Sequence, residues 1–220
     1  MENCAIIVAA GRGKRFGGYK QFHKYRGRHL IYYTLRAFER SRLINTVVLV
    51  VPKGMIPFSQ SFVKRHGFHK VKTIVPGGKR RQDSVKNGFQ AVDRSAACVV
   101  IHDGARPAVT PALLGKGIRL CRKYPAVIFG LPVTDTVKTV RGHRVLTTLD
   151  RDGIFLIQTP QFFRVNLLAR AYTRVNFQRN YTDEAGLIEA AGFPVYHFLG
   201  DRKNIKITDR DDLRRLKGRL

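Results

Sequence analysis

The sequence has few cysteines and no long hydrophobic run, and both shortages narrow the class of protein. Its three cysteines, Cys4, Cys98 and Cys121, lie far apart and form no C-x-x-C pair. This spacing argues against a disulfide framework or a zinc site and favours a reducing, cytoplasmic location. The longest apolar runs, residues 46–52 and 126–132, fall far short of the roughly 20 residues of a membrane helix. The chain also begins without the basic segment of a secretion signal, so we expect no membrane partner.

Acidic residues are scarce as well. There are 15 of them against 41 lysines and arginines, which gives a formal net charge of +26. This excess favours anionic partners in general, among them nucleic acids, membrane surfaces and phosphorylated small molecules. The basic residues are spread along the chain, however, without a charged tail or the aromatic pattern of an RNA-recognition motif. We therefore expect non-specific adhesion to RNA but no specific nucleic-acid partner.

Short apolar runs alternate with amphipathic segments along the 220 residues, which predicts a single α/β domain. The apolar runs predict buried strands at residues 5–9, 46–51, 71–75, 98–101, 126–131 and 195–199. Helical spacing predicts helices near residues 30–38, 58–66, 85–92, 110–124, 167–175, 182–192 and 208–216. Hydroxyl side chains predict three N-caps, at Ser84, Thr182 and Thr208, the last in a capping box with Asp211.

A hairpin is predicted in the second half of the chain. Residues 134–140 alternate in polarity, residues 141–144 resemble a turn, and residues 145–149 resume an extended pattern. One face of this hairpin has few large apolar residues, so it cannot bury much surface against its own domain. We expect a partner subunit to cover it.

A loop of small and basic residues, 9–21 (AAGRGKRFGGYKQ), follows the first predicted strand and connects it to a helix. Glycines let backbone N–H groups approach phosphate oxygens, and cations add positive potential. The alternative is a basic surface loop. Gly13-Lys14 is followed by Arg15, which excludes a Walker A motif, and Phe16 stands where a dinucleotide fingerprint needs glycine.

Two further stretches predict parts of a ligand site. Residues 76–84 (PGGKRRQDS) form another glycine-rich basic loop, in which Ser84 serves either as a helix cap or as a ligand contact. Asp103 follows a buried strand, and ligands of parallel sheets gather beyond such strand ends. Asp103 is therefore the best metal candidate, with a turn-capping role and an ion pair to Arg106 as the alternative. The lone His102 beside it is expected to be structural.

These stretches also resemble the motifs of one protein family and occur in the same order along the chain. The motifs are AAGRGKRFGG with Lys20-Gln21, GGKRRQDSV, IHDGARP, PVTDTVK, DRDGIFLIQTPQFF, TDEAG and NIKIT. Over residues 5–216 the chain resembles the 2-C-methyl-D-erythritol 4-phosphate cytidylyltransferases of the non-mevalonate isoprenoid pathway. These enzymes join CTP and methylerythritol phosphate to give diphosphocytidyl-methylerythritol and pyrophosphate.

The resemblance implies a Rossmann-like fold of the nucleotide-diphospho-sugar transferase type. In this fold a mostly parallel sheet is flanked by helices and carries a protruding β-hairpin dimerisation arm. The implied organisation is a single domain, residues 1–220, with the arm at about 133–158, assembled as a homodimer. The implied partners are CTP and 2-C-methyl-D-erythritol 4-phosphate, with Mg²⁺ or another divalent cation as cofactor.

The resemblance also implies roles for individual positions. The implied catalytic cations are Arg15, Lys20 and Lys206. The implied CTP-binding residues are Ala9, Ala10, Gly11, Gly13, Gly77, Gly78, Asp83 and Ser84. The implied acceptor-binding residues are Asp135, Thr136, Arg151, Thr159, Thr182 and, for the attacking phosphate, Lys206. Asp103 would bind the metal, with Arg106 nearby.

The chain departs from the family pattern at Tyr19, where the family usually has proline before the Lys-Gln pair. Two alternatives compete with the main interpretation. One is a cytidylyltransferase for another polyol phosphate, such as ribitol 5-phosphate. The other is a basic RNA-binding protein that has kept the fold without catalysis. The presence of Arg15, Lys20, Asp103 and Lys206 argues against the second.

Overall fold

A seven-stranded sheet forms the centre of the chain. The computed structural model describes residues 2–220, except for the side chain of Lys14. The strands in chain order are β1 (Asn3–Val8), β2 (Lys24–Tyr25), β3 (Arg28–His29), β4 (Thr46–Val51), β5 (Val71–Pro76), β6 (Cys98–Asp103), β7 (Ala126–Pro132), β8 (Val137–Arg141), β9 (Arg144–Leu149), β10 (Phe155–Arg164) and β11 (Tyr196–Leu199). The central sheet has the order β11-β7-β10-β6-β1-β4-β5. Strand β10 is antiparallel to both of its neighbours, and the other pairs are parallel.

Helices cover both faces of this sheet, which confirms the predicted Rossmann-like α/β fold. They are α1 (Leu30–Arg40), α2 (Ile56–Arg65), α3 (Arg81–Gln90), α4 (Pro111–Lys123), α5 (Val165–Arg174), α6 (Glu184–Ala190) and α7 (Asp212–Arg215). Helix α4 begins within one residue of its predicted start at residue 110. The Thr110 side chain accepts a hydrogen bond from the Leu113 amide, and Pro111 lies in the first turn.

The core consists of two layers, one on each side of the sheet. Successive side chains of β1 alternate between them: Ala5 and Ile7 pack in one layer, and Cys4 and Ile6 in the other. The first layer also contains buried residues of α1 and α4, and the second contains buried residues of α3, α5 and α6. Both faces of the central strands are therefore dry, which explains their continuous apolar runs.

The three cysteines are free and buried. No helix among residues 2–220 is long and apolar enough to cross a bilayer.

The predicted hairpin is present as the pair β8 and β9, which forms its own two-stranded sheet. Its apolar side chains are unusually open to solvent: Val140 is 55% exposed and Leu146 is 53% exposed. Leu156, in the part of β10 that leaves the arm, is 64% exposed. Gln158 and Thr159, by contrast, are buried in the main sheet.

Three local predictions at helix starts were wrong. Helix α3 begins at Arg81, so Ser84 lies inside its first turns and does not cap it. Helix α6 is capped by Asp183, whose side chain accepts a hydrogen bond from the Gly186 amide, and not by Thr182. At the C-terminus, Asp212 rather than Asp211 accepts a hydrogen bond from the Thr208 amide.

The prediction that the glycine loop leads directly into a helix was wrong. The loop contains the short 3-10 turn Lys14–Phe16 and runs into a second one, Lys20–Phe22, and the small β2–β3 hairpin then precedes α1. The C-terminal segment packs against this region, because Ile207 and Leu216 share a buried cluster with Phe16 and Leu30. This packing brings the end of the chain, and with it Lys206, to the edge of the sheet where the glycine loop lies.

Candidate active site

A cleft of about 900 Å³ opens at the carboxyl ends of β1, β4, β5 and β6. Parallel sheets typically bind ligands at this edge. The predicted site residues that line it are Ala9, Ala10, Gly11, Gly13, Lys20, Gly77, Gly78, Ser84, Asp103 and Lys206. Residues from both ends of the sequence therefore meet at one site.

The loop of residues 9–21 has a tightly folded backbone. Gly13 has a positive φ of 60°, and a Cβ there would lie 2.1 Å from the Gly18 carbonyl oxygen. The amides of Phe16, Gly17 and Gly18 all donate to the Gly13 carbonyl, at 2.9, 3.1 and 3.3 Å. Only glycine fits at this position, because both the backbone angle and the close approach exclude a side chain.

Gln21 holds the base of this loop. Its side-chain amide, which is buried, donates to the carbonyls of Ala9 at 2.5 Å and Gly11 at 3.1 Å. The adjacent Lys20 is thereby fixed at the cleft. Burial, together with the nearby Lys206, lowers the pKa of Lys20, and Asp103 opposes this effect.

The second glycine loop packs directly against the first. A Cβ on Gly77 would lie 2.2 Å from the Cβ of Ala10. The hydroxyl of Ser84 accepts a hydrogen bond from the Gly78 amide at 3.0 Å and donates to the Arg80 carbonyl at 3.2 Å. Ser84 therefore shapes the loop from inside the helix and also faces the cleft.

Asp83 lies beside this loop rather than in the cleft lining. Its carboxylate accepts a hydrogen bond from the Arg80 amide at 2.9 Å and pairs with the Arg80 guanidinium at 2.7 Å. These contacts, of which the side-chain bond from Arg80 is the strongest, lower the pKa of Asp83. A Cβ on Gly78 would collide with Asp83 at 2.4 Å, so the residue packs tightly against the loop backbone.

Asp103, at the end of β6, is the electrostatic centre of the cleft. Lys206 contacts one of its carboxylate oxygens at 2.7 Å, and the Arg81 guanidinium contacts the other at 3.1 Å. Its backbone amide donates to the Thr159 hydroxyl at 3.0 Å. Burial alone would raise the pKa of Asp103, but Arg81 and Lys206 outweigh it and hold that pKa well below its usual range.

Arg81 joins Asp103 to a second, fully buried acid. Its guanidinium contacts Glu184 at 2.7 Å, and the Glu184 side chain is only 1% exposed. Burial raises the pKa of Glu184, although Arg81 opposes this effect. Arg81 therefore places a fixed positive charge beside Asp103, and its ion pair with Glu184 anchors helix α6 to helix α3.

Arg106 does not pair with Asp103, so the alternative that linked these two residues was wrong. Its guanidinium donates to the Asn204 carbonyl at 2.8 Å. Asn204 in turn donates from its side chain to the Thr159 carbonyl at 2.8 Å, and the Ile207 amide donates to the Ala105 carbonyl at 2.8 Å. Arg106 thus holds the segment that carries Lys206.

His102 is structural, as expected. It is fully buried, its Nε2 lies 3.2 Å from the Arg106 carbonyl, and its ring packs on Phe38. Burial lowers its pKa to about 4, so the ring is neutral near neutral pH.

The remaining predicted residues lie outside the cleft lining. Arg15 is exposed on the glycine loop. The side chains of Asp135, Thr136, Arg151 and Thr182 are exposed too, and Arg151 donates to the Thr134 carbonyl within the arm. Thr159 is buried beneath Asp103. The single chain therefore brings together the predicted CTP residues other than Asp83, but only part of the predicted acceptor set.

Comparisons with known proteins show which family this chain belongs to. The family model for 2-C-methyl-D-erythritol 4-phosphate cytidylyltransferase matches residues 3–218. The chain belongs to this family. A member from Alkaliphilus metalliredigens is 41% identical over 94% of this chain and 88% of its own length. Another, from Geobacter metallireducens, is 40% identical over 95% of this chain and 93% of its own length.

Solved structures of the cytidylyltransferase family share the fold. The enzyme from Thermus thermophilus superimposes with a TM-score of 0.80 at 31% identity, covering 99% of this chain and 98% of that one. The 4-diphosphocytidyl-2C-methyl-D-erythritol synthase from Anaerococcus prevotii gives a TM-score of 0.83 at 30% identity, covering 98% and 94%. The predictions of the family and of a nucleotidyltransferase are confirmed.

Sequence reasoning missed two residues of this network. It assigned no role to Arg81, which lines the cleft, or to Glu184, the buried acid that pairs with Arg81. Arg81 belongs to the run Lys79-Arg80-Arg81, and such runs usually lie on solvated faces. A periodicity signal existed, because Arg81 lies four residues before the buried Val85 and therefore on the inner side of α3.

Proposed function

We propose that the cleft catalyses transfer of the cytidylyl group from CTP to 2-C-methyl-D-erythritol 4-phosphate. A phosphate oxygen of the acceptor attacks the α-phosphorus of CTP, the bond between the α-phosphorus and the bridging oxygen breaks, and pyrophosphate leaves. The observation that supports this most directly is the convergence of two glycine loops, Lys20, Lys206 and Asp103 on one cleft.

The two glycine loops supply the binding surface for CTP. Gly11 has no neighbouring atom within 4 Å of a would-be Cβ, so its backbone is open to a ligand. Phosphate oxygens fit such a surface, because backbone N–H groups and nearby cations both favour negative charge. The small side chains of Ala9 and Ala10 leave room for the nucleoside, next to Gly77 and Ser84.

Catalysis rests on positioning and charge neutralisation, because the displacement needs no covalent protein intermediate. Lys20 and Arg15 stabilise the charge that builds on the α-phosphate and on the leaving pyrophosphate. Lys206 contacts Asp103 at 2.7 Å and is 43% exposed, so its ammonium can exchange this partner for the acceptor phosphate. Burial and the neighbouring cations Lys206 and Arg15 lower the pKa of Lys20.

Asp103 fits the role of the protein ligand for Mg²⁺. It is the one acid among the described residues that line the cleft, and Mg²⁺ is usually held by one or two carboxylates together with substrate phosphates. No group of three His, Cys, Asp or Glu side chains suited to a metal occurs within residues 2–220. This donor set matches a cation that binds mainly through the nucleotide. When bound, Mg²⁺ would neutralise phosphate charge.

A second copy of the chain would complete the acceptor site. The arm exposes apolar side chains on β9 and β10, and its predicted acceptor residues Asp135, Thr136 and Arg151 lie away from the cleft of their own chain. Exposed apolar surface of this kind favours association. In a homodimer, each arm would reach the cleft of the partner subunit and deliver these residues.

A pyrophosphate-release assay tests the proposal. The purified protein is supplied with CTP, Mg²⁺ and 2-C-methyl-D-erythritol 4-phosphate. Parallel reactions replace CTP by ATP, GTP or UTP, or replace the acceptor by ribitol 5-phosphate. We expect release with CTP and the methylerythritol acceptor in preference to every control. Preferential use of ribitol 5-phosphate would refute the acceptor assignment, and no release with either acceptor would refute the activity.

A further inference from the structure

A second, smaller cavity of about 310 Å³ lies between the β2–β3 hairpin and helix α2. We call it the basic-aromatic pocket and define it by Lys24, Arg28, Arg65, His66, Phe58 and Phe62. None of these residues lines the cleft described above. Its volume lies at the lower end of the range for small-molecule sites, which is about 300–1,000 Å³.

The cations of this pocket have no acidic partner among the described residues. Lys24, Arg28 and Arg65 take part in none of the ion pairs found within residues 2–220. The sequence explains why, because Glu39 is the one acid between residues 3 and 82. The carboxylate of Glu39 accepts hydrogen bonds from the amides of His69 and Lys70 instead, at 3.1 and 3.0 Å.

Aromatic rings form the other wall of the pocket. Phe58 and Phe62 stack with their centroids 5.9 Å apart, and Phe62 meets the His66 ring at 4.5 Å. Phe58 is still 39% exposed, so part of its surface faces the cavity. The Arg28 guanidinium lies within 3.5 Å of His66 Nδ1 and over the Tyr32 ring. One side of the cavity is therefore positively charged and the other is apolar.

We propose that the basic-aromatic pocket binds a small phosphate monoester whose remaining part is a flat, apolar group. The phosphate would be held by Arg28, Arg65 and Lys24, since guanidinium groups bind phosphate oxygens through paired hydrogen bonds. The apolar part would cover the exposed surface of Phe58, which stacks on the buried Phe62. The cavity has room for one such molecule, whereas a nucleic-acid strand would leave most of its contacts outside.

Such a ligand would act on the segment that leads from the glycine loop. Phe22, directly after Lys20 and Gln21, packs edge-on against Phe58 at 5.5 Å. His29 contacts the Phe22 carbonyl, and the Leu30 amide donates to the His23 carbonyl at 3.0 Å. A phosphate shared by Arg28 and Arg65 would tie this hairpin to α2, and slower amide hydrogen exchange at residues 22–29 should report it.

The test uses phenyl phosphate as the probe, followed by the ¹⁵N resonances of the histidine rings. His66 gives a sensitive signal, because burial and the neighbouring Arg28, Arg65 and His29 lower its pKa in the free protein. The negative charge of a bound phosphate would offset the effect of these cations on His66, so the pKa of His66 should rise. The titration is repeated in Lys20→Ala protein, which separates this pocket from the cleft.

We expect saturable binding in both proteins, tighter than that of inorganic phosphate at equal ionic strength. The double variant Arg28→Ala/Arg65→Ala should weaken binding at least about tenfold, because it removes two charge-assisted contacts. Arg174→Ala is the matched control, since this exposed arginine also lies over an aromatic ring, Phe193 at 4.8 Å, but outside the pocket. It should bind the probe like the parent protein.

Four results would overturn the proposal. The first is a response that disappears in Lys20→Ala, which would place the probe in the cleft. The second is an equal loss of binding in Arg174→Ala and in the double variant. The third is equal affinity for phenyl phosphate and inorganic phosphate. The fourth is a His66 response to an RNA oligonucleotide but not to phenyl phosphate, which would indicate general attraction of polyanions. Thermal melts of all three variants verify that they are folded.

Discussion

The cleft and the hairpin arm differ in how much of their chemistry one chain supplies. In the cleft, functional side chains are held by other parts of the same chain, as Asp103 is by Arg81 and Lys206. In the arm, β9 is exposed along its whole length, and apolar residues such as Leu146 face solvent. This difference supports our proposal that one subunit supplies most of the nucleotide-binding residues, whereas the acceptor half of the site is completed by the arm of a second subunit.

Removing Arg81 should have the largest effect on the cleft. Arg81→Ala leaves Glu184 buried without its partner and removes one of two cations from Asp103. Breaking a buried ion pair in this way typically costs about 3–5 kcal/mol of unfolding free energy. Urea denaturation of Arg81→Ala and of the exposed control Arg42→Ala measures the cost. Equal stabilities would show that the Arg81 network does not hold the cleft together.

A double variant sharpens this result. Glu184→Gln removes the charge that Arg81→Ala leaves unpaired, so Arg81→Ala/Glu184→Gln should recover part of the lost stability. Residues in direct contact are expected to show such non-additivity. Strict additivity of the two single effects would contradict a buried ion pair between Arg81 and Glu184.

Removing Lys20 should leave the fold intact and reduce turnover. We expect Lys20→Ala to lower kcat about 10²- to 10³-fold, because a preorganised charge at the reacting phosphate is lost. Lys123→Ala, at the exposed end of α4, is the matched control and should keep its full rate. Pyrophosphate release measures both rates, and circular dichroism verifies the fold. A near-normal rate in Lys20→Ala would refute the catalytic role of Lys20. A near-normal rate in Arg15→Ala would likewise refute the catalytic role of Arg15.

A polar substitution in the arm should weaken the proposed dimer without disturbing the cleft. Leu146→Asn removes an apolar side chain that is 53% exposed in the single chain. We expect the dissociation constant of the dimer to rise about tenfold to a hundredfold, because burying one leucine contributes about 1.5–3 kcal/mol. Sedimentation as a function of concentration measures it, with the neighbouring Thr147→Asn as the control. A parent protein that is fully active as a monomer would refute the dimer.

The smallest effect is expected beneath Asp103. Thr159→Val keeps a similar side-chain shape but removes the hydroxyl that accepts a hydrogen bond from the Asp103 amide at 3.0 Å. We expect a loss of about 1 kcal/mol in unfolding free energy, because the buried Asp103 amide loses its hydrogen-bond acceptor. The comparison variant Thr159→Ser retains the hydroxyl and should lose less. A greater loss in Thr159→Ser would show that packing, not the hydrogen bond, is what matters here.

Much of the fold could be predicted from local patterns. The strands at residues 46–51 and 126–131 are dry on both faces, so their apolar runs are continuous and easy to recognise. The glycines at positions 13 and 77 were recognisable because close backbone approach at a turn requires them. Strand direction was not predictable in the same way. Nothing in the sequence of β10 shows that it pairs antiparallel with its neighbours, whereas the other strands of the sheet pair in parallel.

The errors arose where long-range contacts decide between local alternatives. Ser84 and Thr182 both have the hydroxyl that favours an N-cap, yet the chain begins these helices elsewhere, and Asp183 caps the second. The alternative role considered for Asp103 paired it with the nearby Arg106, but the structure pairs it with Arg81 and Lys206, which are distant in sequence. These choices depend on tertiary packing, which no short window of sequence contains.

Complementation between two defective chains tests most directly whether cleft and arm act across subunits. Lys20→Ala damages the cleft, Arg151→Ala damages the arm, and each variant alone should be inactive. When the two are mixed and allowed to exchange subunits, half of the dimers would carry one intact site, and about a quarter of the parent activity should return. A mixture that shows only the average of its two inactive parents would contradict a site shared between subunits.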